Sequence, residues 1–133
     1  MTAHSHDIAP ILTLLHEAFA RRDMDTIGRY FDENIRFVNP DGEMLGKTAR
    51  MADEERIFDI IDDGTIEVTS TVIQGNGAVE LSILHGIAKI GANSGSPVAL
   101  RYVVHYQFEG DQIVFQEVCF DRVALATQLG LSA

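Results

Sequence analysis

Asp121 follows an apolar strand-like segment, Ile113 to Phe120, and Glu117 stands four residues earlier in the same segment. An ionisable group on a greasy strand is costly unless it is paired or used. A carboxyl with its pKa raised by apolar surroundings can take a proton from the carbon beside a carbonyl. It can also return one to a developing alkoxide, and an aldol-type ring closure needs both steps. Two inward carboxylates would repel each other and separate their pKa values, as acid and base roles require. Each acid also has a structural reading. Asp121 is placed to cap a helix from Arg122 to Leu129, and Glu117 could pair at the rim with Arg101 or Lys89.

Other candidates are graded by their surroundings. His85 falls on the apolar face Val79, Leu81, Ile83, His85, Ile87. There it is either a hydrogen-bonded core residue or a group that orients a substrate carbonyl. Tyr102 and Tyr106 can donate to an enolate oxygen or simply pack, and Tyr30 shares that ambiguity. His105 has the opposite strand parity and reads as surface or interface. Cys119, the only cysteine, excludes an intrachain disulfide and reads as a buried, unreactive thiol between Val118 and Phe120. His4-Ser5-His6-Asp7 is metal-friendly in type but reads as a loose tail. No other spacing suggests a metal site, a phosphate cradle or a Ser/His/Asp arrangement, so neither metal nor cofactor is expected.

The elements that must position these groups follow from periodicity. Ile8, Ile11, Leu12, Leu15 and Phe19 form the stripe of a helix over Asp7–Arg22, with Asp7 as cap. Asp23 and Asp25 open a short second helix bearing Ile27, Tyr30 and Phe31. The stretch from Asn34 to Asn39 alternates, with Ile35 and Phe37 on one face, and stops at the turn Pro40-Asp41-Gly42. A third helix runs from Thr48 to Asp62, with Met51, Ile57, Phe58 and Ile61 inward and Gly64 as its stop. The period then changes to two, giving strands over 66–74, 79–90, 98–108 and 113–120. Helices first and hairpin strands afterwards indicate an α+β fold with a curved, mainly antiparallel sheet.

A two-residue turn at Gly110-Asp111 fixes a hairpin register. Phe108 then faces Ile113, Tyr106 faces Phe115, Val104 faces Glu117, Tyr102 faces Cys119 and Leu100 faces Asp121. Paired residues share a face, so this register points Glu117 and Asp121 toward the helices together with both tyrosines. Arg101, Val103, His105, Gln107, Val114, Gln116, Val118 and Phe120 then form an outer face mixed enough to meet a partner subunit. One residue of slip would invert the assignment.

The 133 residues fit one domain with a real core, and 46 % of them are hydrophobic. Ten basic against twenty acidic residues leave a formal charge of −10, which repels phosphate backbones and anionic lipid and argues against nucleic acid and membrane partners. No basic leader or spanning-length apolar run is read, so a cytoplasmic protein is expected.

The order of elements resembles the nuclear transport factor 2-like superfamily, and within it the SnoaL-like polyketide cyclase group. The residues that carry this are Pro40-Asp41-Gly42 with Gly46, Phe108 to Ile113, Phe120-Asp121 and Gln128-Leu129-Gly130-Leu131. The resemblance covers nearly the whole chain. It implies a cone-shaped barrel with a deep, largely apolar pocket, usually dimeric, that supports an intramolecular aldol closure without metal or cofactor. It makes Asp121 the general acid/base and an apolar carbonyl compound the ligand. Cys119 departs from the pattern, standing where an aromatic residue is more usual. Asn39-Pro40 is similar in placement to the Asp-Pro that carries the base of ketosteroid isomerases. Asn cannot be that base, so isomerase chemistry ranks below cyclase chemistry, although Asn39 can still bond a ligand. Two rivals keep the fold: a non-catalytic module binding a ligand or partner, and a dimer whose pocket is packed shut by Phe37, Phe58 and Phe115.

Overall fold

Burying the apolar stripe of the first helix requires a surface to lie on, and the C-terminal strands supply it. The computed structural model describes residues 5–131, with side chains from Asp7 onward. In chain order the elements are α1 (Ser5–Ala20), α2 (Met24–Arg29), β1 (Phe31–Asn39), β2 (Gly42–Leu45), α3 (Lys47–Ile60), β3 (Ile61–Gln74), β4 (Gly77–Ala88), β5 (Pro97–Glu109), β6 (Gln112–Phe120) and α4 (Arg122–Leu129). This is the expected α+β arrangement. The six strands form one curved, open sheet in the order β2-β1-β6-β5-β4-β3. Neighbours are antiparallel except β1 and β6, which run parallel.

Ile8, Leu12, Leu15 and Phe19 of α1 are buried against the sheet, as their spacing requires. Asp23 caps α2, accepting from the Thr26 amide at 3.1 Å. Phe108 and Ile113, paired beside the β5–β6 turn, are both fully buried. Each such side chain contributes about 1.5–3 kcal/mol.

Several expectations are corrected. Asp7 lies inside the first turn of α1, where its charge suits the helix dipole, instead of capping it. Helix α3 ends at Ile60, and Gly64 is no helix stop. It sits inside β3 because a Cβ there would come within 3.1 Å of the Phe19 ring. The short strand β2 is an addition, formed where the Pro40–Gly42 turn sends the chain back along β1. The N-terminal His4 and the side chain of His6 lie outside the described residues.

The β5–β6 register carries the largest correction. Glu109 faces Gln112 and Phe108 faces Ile113 as expected, but the next pair is Gln107 with Phe115. Val114 is therefore an extra residue, a β-bulge. Beyond it Tyr106 faces Gln116, Val104 faces Val118 and Tyr102 faces Phe120. Because side chains alternate, this one residue turns Gln116, Val118 and Phe120 inward and Phe115, Glu117 and Cys119 outward.

Candidate functional site

A cavity of about 370 Å³ lies between the helices and the covered face of the sheet. It falls within the range of about 300–1,000 Å³ usual for ligand pockets, so the packed-shut reading does not hold. Phe37 is a wall residue, Phe58 packs on Phe19 and Arg22, and Phe115 points away. Its walls are mainly apolar: Phe31 and Phe37 from β1, Ile57 from α3, Leu100 and Val104 from β5, and Phe120 from β6.

One end is polar, and Arg50 organises it. On α3, Arg50, Glu54 and Ile57 are spaced i, i+4, i+7, so the two charged residues share a stripe with an apolar one that faces the core. Arg50 is only 5 % exposed. Its guanidinium lies between the rings of Phe31 and Phe37, 4.8 and 4.2 Å from their centroids. Nε donates to Gln116 Oε1 at 2.8 Å, and Nη2 meets Glu54 Oε2 at 2.7 Å. Nη1 is buried without a hydrogen-bond partner, with Asp53 Oδ2 4.0 Å away. A buried charged donor without a protein partner is expensive, and an acceptor from a ligand would offset that cost.

Asp53 stands beside it, less enclosed. Burial pushes its carboxyl above the usual carboxylate range; Arg50 and Arg56 oppose this, while Glu54 and Asp41 add to it. Asp53 can therefore hold a proton where an ordinary aspartate would have lost it. Tyr102 and Tyr106 line the same cavity. Burial drives the pKa of Tyr102 far up, against the lowering influence of the neighbouring Ser82 hydroxyl and with Glu54 and Glu80 adding to the rise. Burial is also the main cause for Tyr106. Both are held as neutral phenols. Ser82 Oγ itself is buried with no well-formed hydrogen bond.

The expected residues thus divide. Tyr102, Tyr106 and Asn39 line the cavity, with Asn39 Oδ1 also accepting the Asp41 amide at 2.8 Å. Tyr30 caps α2 and packs on the core without lining the cavity. His85 is outside: Leu84 takes the inward position, and the His85 ring meets Glu67 at 2.8 Å on the outer face. Glu117 faces His105 on that outer face, and Cys119 is exposed instead of buried, both because of the Val114 bulge. Asp121 is exposed, and its Oδ1 accepts the amides of Val123 and Ala124 at 2.9 and 3.1 Å. It is the cap of α4 and not a wall of the cavity, so the structural reading of that acid prevails. Its neighbour Arg122 pairs with Asp41, tying α4 to the β1–β2 turn at the cavity rim.

Arg50, Asp53, Glu54 and Gln116 were not singled out from the sequence. The available signal was a charged residue on the buried stripe of a helix, which Arg50 and Glu54 share with Ile57. Gln116 was assigned to the outer face by the unbulged register. Among the described residues no three His, Cys, Asp or Glu side chains are grouped to hold a metal ion. Among the described residues no helix is long and apolar enough to cross a membrane.

Residues 12–116 match the model of the SnoaL-like domain. No curated protein matches the chain. Among solved structures it is similar to a nuclear transport factor 2-like protein of unknown function from Burkholderia pseudomallei, with 21% identity, a TM-score of 0.80, and coverage of 92% of this chain and 97% of that one. A Catenulispora acidiphila protein with a ketosteroid isomerase-like fold, solved with trimethylamine, shares 18% identity at a TM-score of 0.79, covering 92% and 93%. A Xanthomonas campestris protein provisionally named a polyketide cyclase shares 15% identity at a TM-score of 0.80, covering 96% and 100%. At these identities the likeness is one of fold.

Proposed function

The chain belongs to the SnoaL-like domain family, and from that premise we propose that its cavity binds an apolar small molecule carrying a carbonyl and moves protons on it. The observation that supports this best is Arg50 in the wall of an otherwise apolar hollow, its guanidinium buried and its Nη1 without a hydrogen-bond partner. A carbonyl oxygen placed there gains a charge-assisted hydrogen bond that strengthens as the oxygen becomes an enolate or alkoxide. Asp53 is the proton donor to that oxygen, and Tyr102 a second neutral donor along the wall. These groups provide the acid–base steps of an aldol-type closure or an enolisation. The outer face of the sheet is where a second copy docks. Leu81, Val103 and Cys119 form a row across β4, β5 and β6 there, and Leu81 and Val103 are 45% and 40% exposed.

β-Naphthol, as a fluorescent enol analogue, and β-tetralone, as an enolisable bicyclic ketone, serve as probes. The wild type is expected to bind the first and to accelerate α-proton exchange of the second in deuterated water. Asp53→Asn should lower exchange by about 100-fold with binding retained. Arg50→Met should weaken β-naphthol binding itself. Asp121→Asn should change neither. Binding with no exchange by the wild type would leave a ligand-binding module without catalysis.

A further inference from the structure

His16 occupies a place that the polar end of the cavity does not account for. It lies on the buried stripe of α1, four residues after Leu12 and three before Phe19, where an apolar residue would be the simple choice. Its Nε2 is 2.8 Å from Oε1 of Glu80, a β4 carboxylate only 3 % exposed. The other Glu80 oxygen accepts from the Thr71 hydroxyl at 3.3 Å. His16 also lines two hollows. One is the interior cavity, and the other is a surface groove of about 400 Å³ bordered by Thr13, Val68, Thr71 and Ile73, with Glu80 in its wall.

We propose that His16 is the base of the cavity, with Glu80 as its positioning residue, and that its proton exchanges with solvent through the groove behind α1. This rests on the reading of the cavity as the site of a carbonyl compound. An ionised carboxylate only accepts, so a neutral His16 bonded to it carries its proton on Nε2. Nδ1 is then the only ring atom left to accept. Besides Thr71, the Tyr102 and Tyr106 hydroxyls are near enough to feel the Glu80 charge, Thr13 borders the same groove, and Ser82 lies two residues further along β4. A pin between α1 and the sheet would need neither a buried charge, which adds little stability over an apolar pair, nor access from both sides.

In the reaction, Nδ1 takes a proton from the carbon beside the ligand carbonyl. The C–H electron pair becomes the enolate double bond, and the carbonyl π pair passes to the oxygen facing Arg50. The imidazolium that forms is balanced by Glu80. It returns its proton to the ligand or loses it through the groove, while Asp53 serves the oxygen.

The test uses the full-length protein with nitrogen-15-labelled histidine. The expected result is an Nε2–H tautomer for His16 and an Nδ1 resonance that moves when β-naphthol fills the cavity. Glu80→Gln should shift the ring toward the other tautomer and slow β-tetralone exchange by about 10–100-fold. His16→Gln should slow it by about 100-fold or more, with β-naphthol affinity within a few-fold of wild type in both. An Nδ1–H tautomer, an unmoved Nδ1 in the β-naphthol complex, or exchange by His16→Gln as fast as wild type overturns the assignment of His16 alone. Failure of the wild type to bind β-naphthol overturns the cavity reading and this one with it. Binding without exchange by the wild type overturns both proton-transfer roles.

Discussion

Two aspartates on this chain show how environment assigns roles to one side chain. Asp53 is held partly out of water beside Arg50, and burial raises its pKa. A carboxyl whose folded pKa exceeds its unfolded one binds more protons when folded, so its penalty grows as pH rises between the two values and is complete above the folded one. Asp53→Asn should therefore raise stability at neutral pH, and the gain should vanish below the unfolded value of the acid, near pH 3.8. Urea melts of wild type and variant across that range check the sign; a gain that grew on acidification would contradict it. Asp121 instead spends its oxygen on two helix amides. Asp121→Ala should cost about 0.5–2 kcal/mol in the same melts, with Asn a near-complete substitute. What was legible here was the residue type. Asp121 was correctly seen as a group with either a chemical or a capping use, and nothing in its neighbours' identities could choose between them.

At the scale of elements, the Gln128-Leu129-Gly130 block has a mechanical explanation. Strand β6 stops at Phe120, opposite Tyr102, so the start of β5 loses its neighbour. Gln128 takes over: its amide accepts from the Ala99 N–H at 2.8 Å and donates to the Ala99 carbonyl at 2.9 Å. Gly130 then ends α4 in the left-handed conformation, φ 74°, and lets the loop after β4 come close. A Cβ there would lie 2.8 Å from the Asn93 amide nitrogen and 3.0 Å from the Ala92 Cβ. Gly130→Ala should cost at least about 1–2 kcal/mol from the backbone alone, read as a lowered midpoint of thermal unfolding. Equal stability would contradict that backbone cost. The first helix and the strands β4 to β6 were legible within a few residues because each has a clear period; β2 and the first residues of β3 were not. The Val114 bulge was not, since Gln112-Ile113-Val114-Phe115 reads as an unbroken strand and the extra residue shows only in the pairing with β5.

The whole molecule presents two faces of one sheet, and the bulge decides which side chains go to each. The outer side gains Phe115, Glu117 and Cys119 beside Val103 and Leu81 and gives up Gln116, Val118 and Phe120 to the cavity side. If this side joins two copies, Val103→Glu should give a monomer by light scattering with unchanged secondary structure. A monomeric wild type at micromolar concentration would exclude that assembly. Closing the outer side in this way would leave the cavity, on the other side of the sheet, reachable only past the Asp41–Arg122 pair or through its other rim residues.

Local pattern was enough to determine the α+β class, the order of elements and the inward direction of Tyr102 and Tyr106, because hydrophobic period and turn chemistry act over a few neighbours. Tertiary pairing alone decided the chemistry of the hollow. Adding one residue to one strand reverses the direction of every side chain after it, exchanging Glu117 for Gln116 at the wall. Contacts such as Arg50 with Gln116 and His16 with Glu80 join residues more than sixty positions apart, with |i−j| of 66 and 64. No local period records which distant partner a buried charge will find.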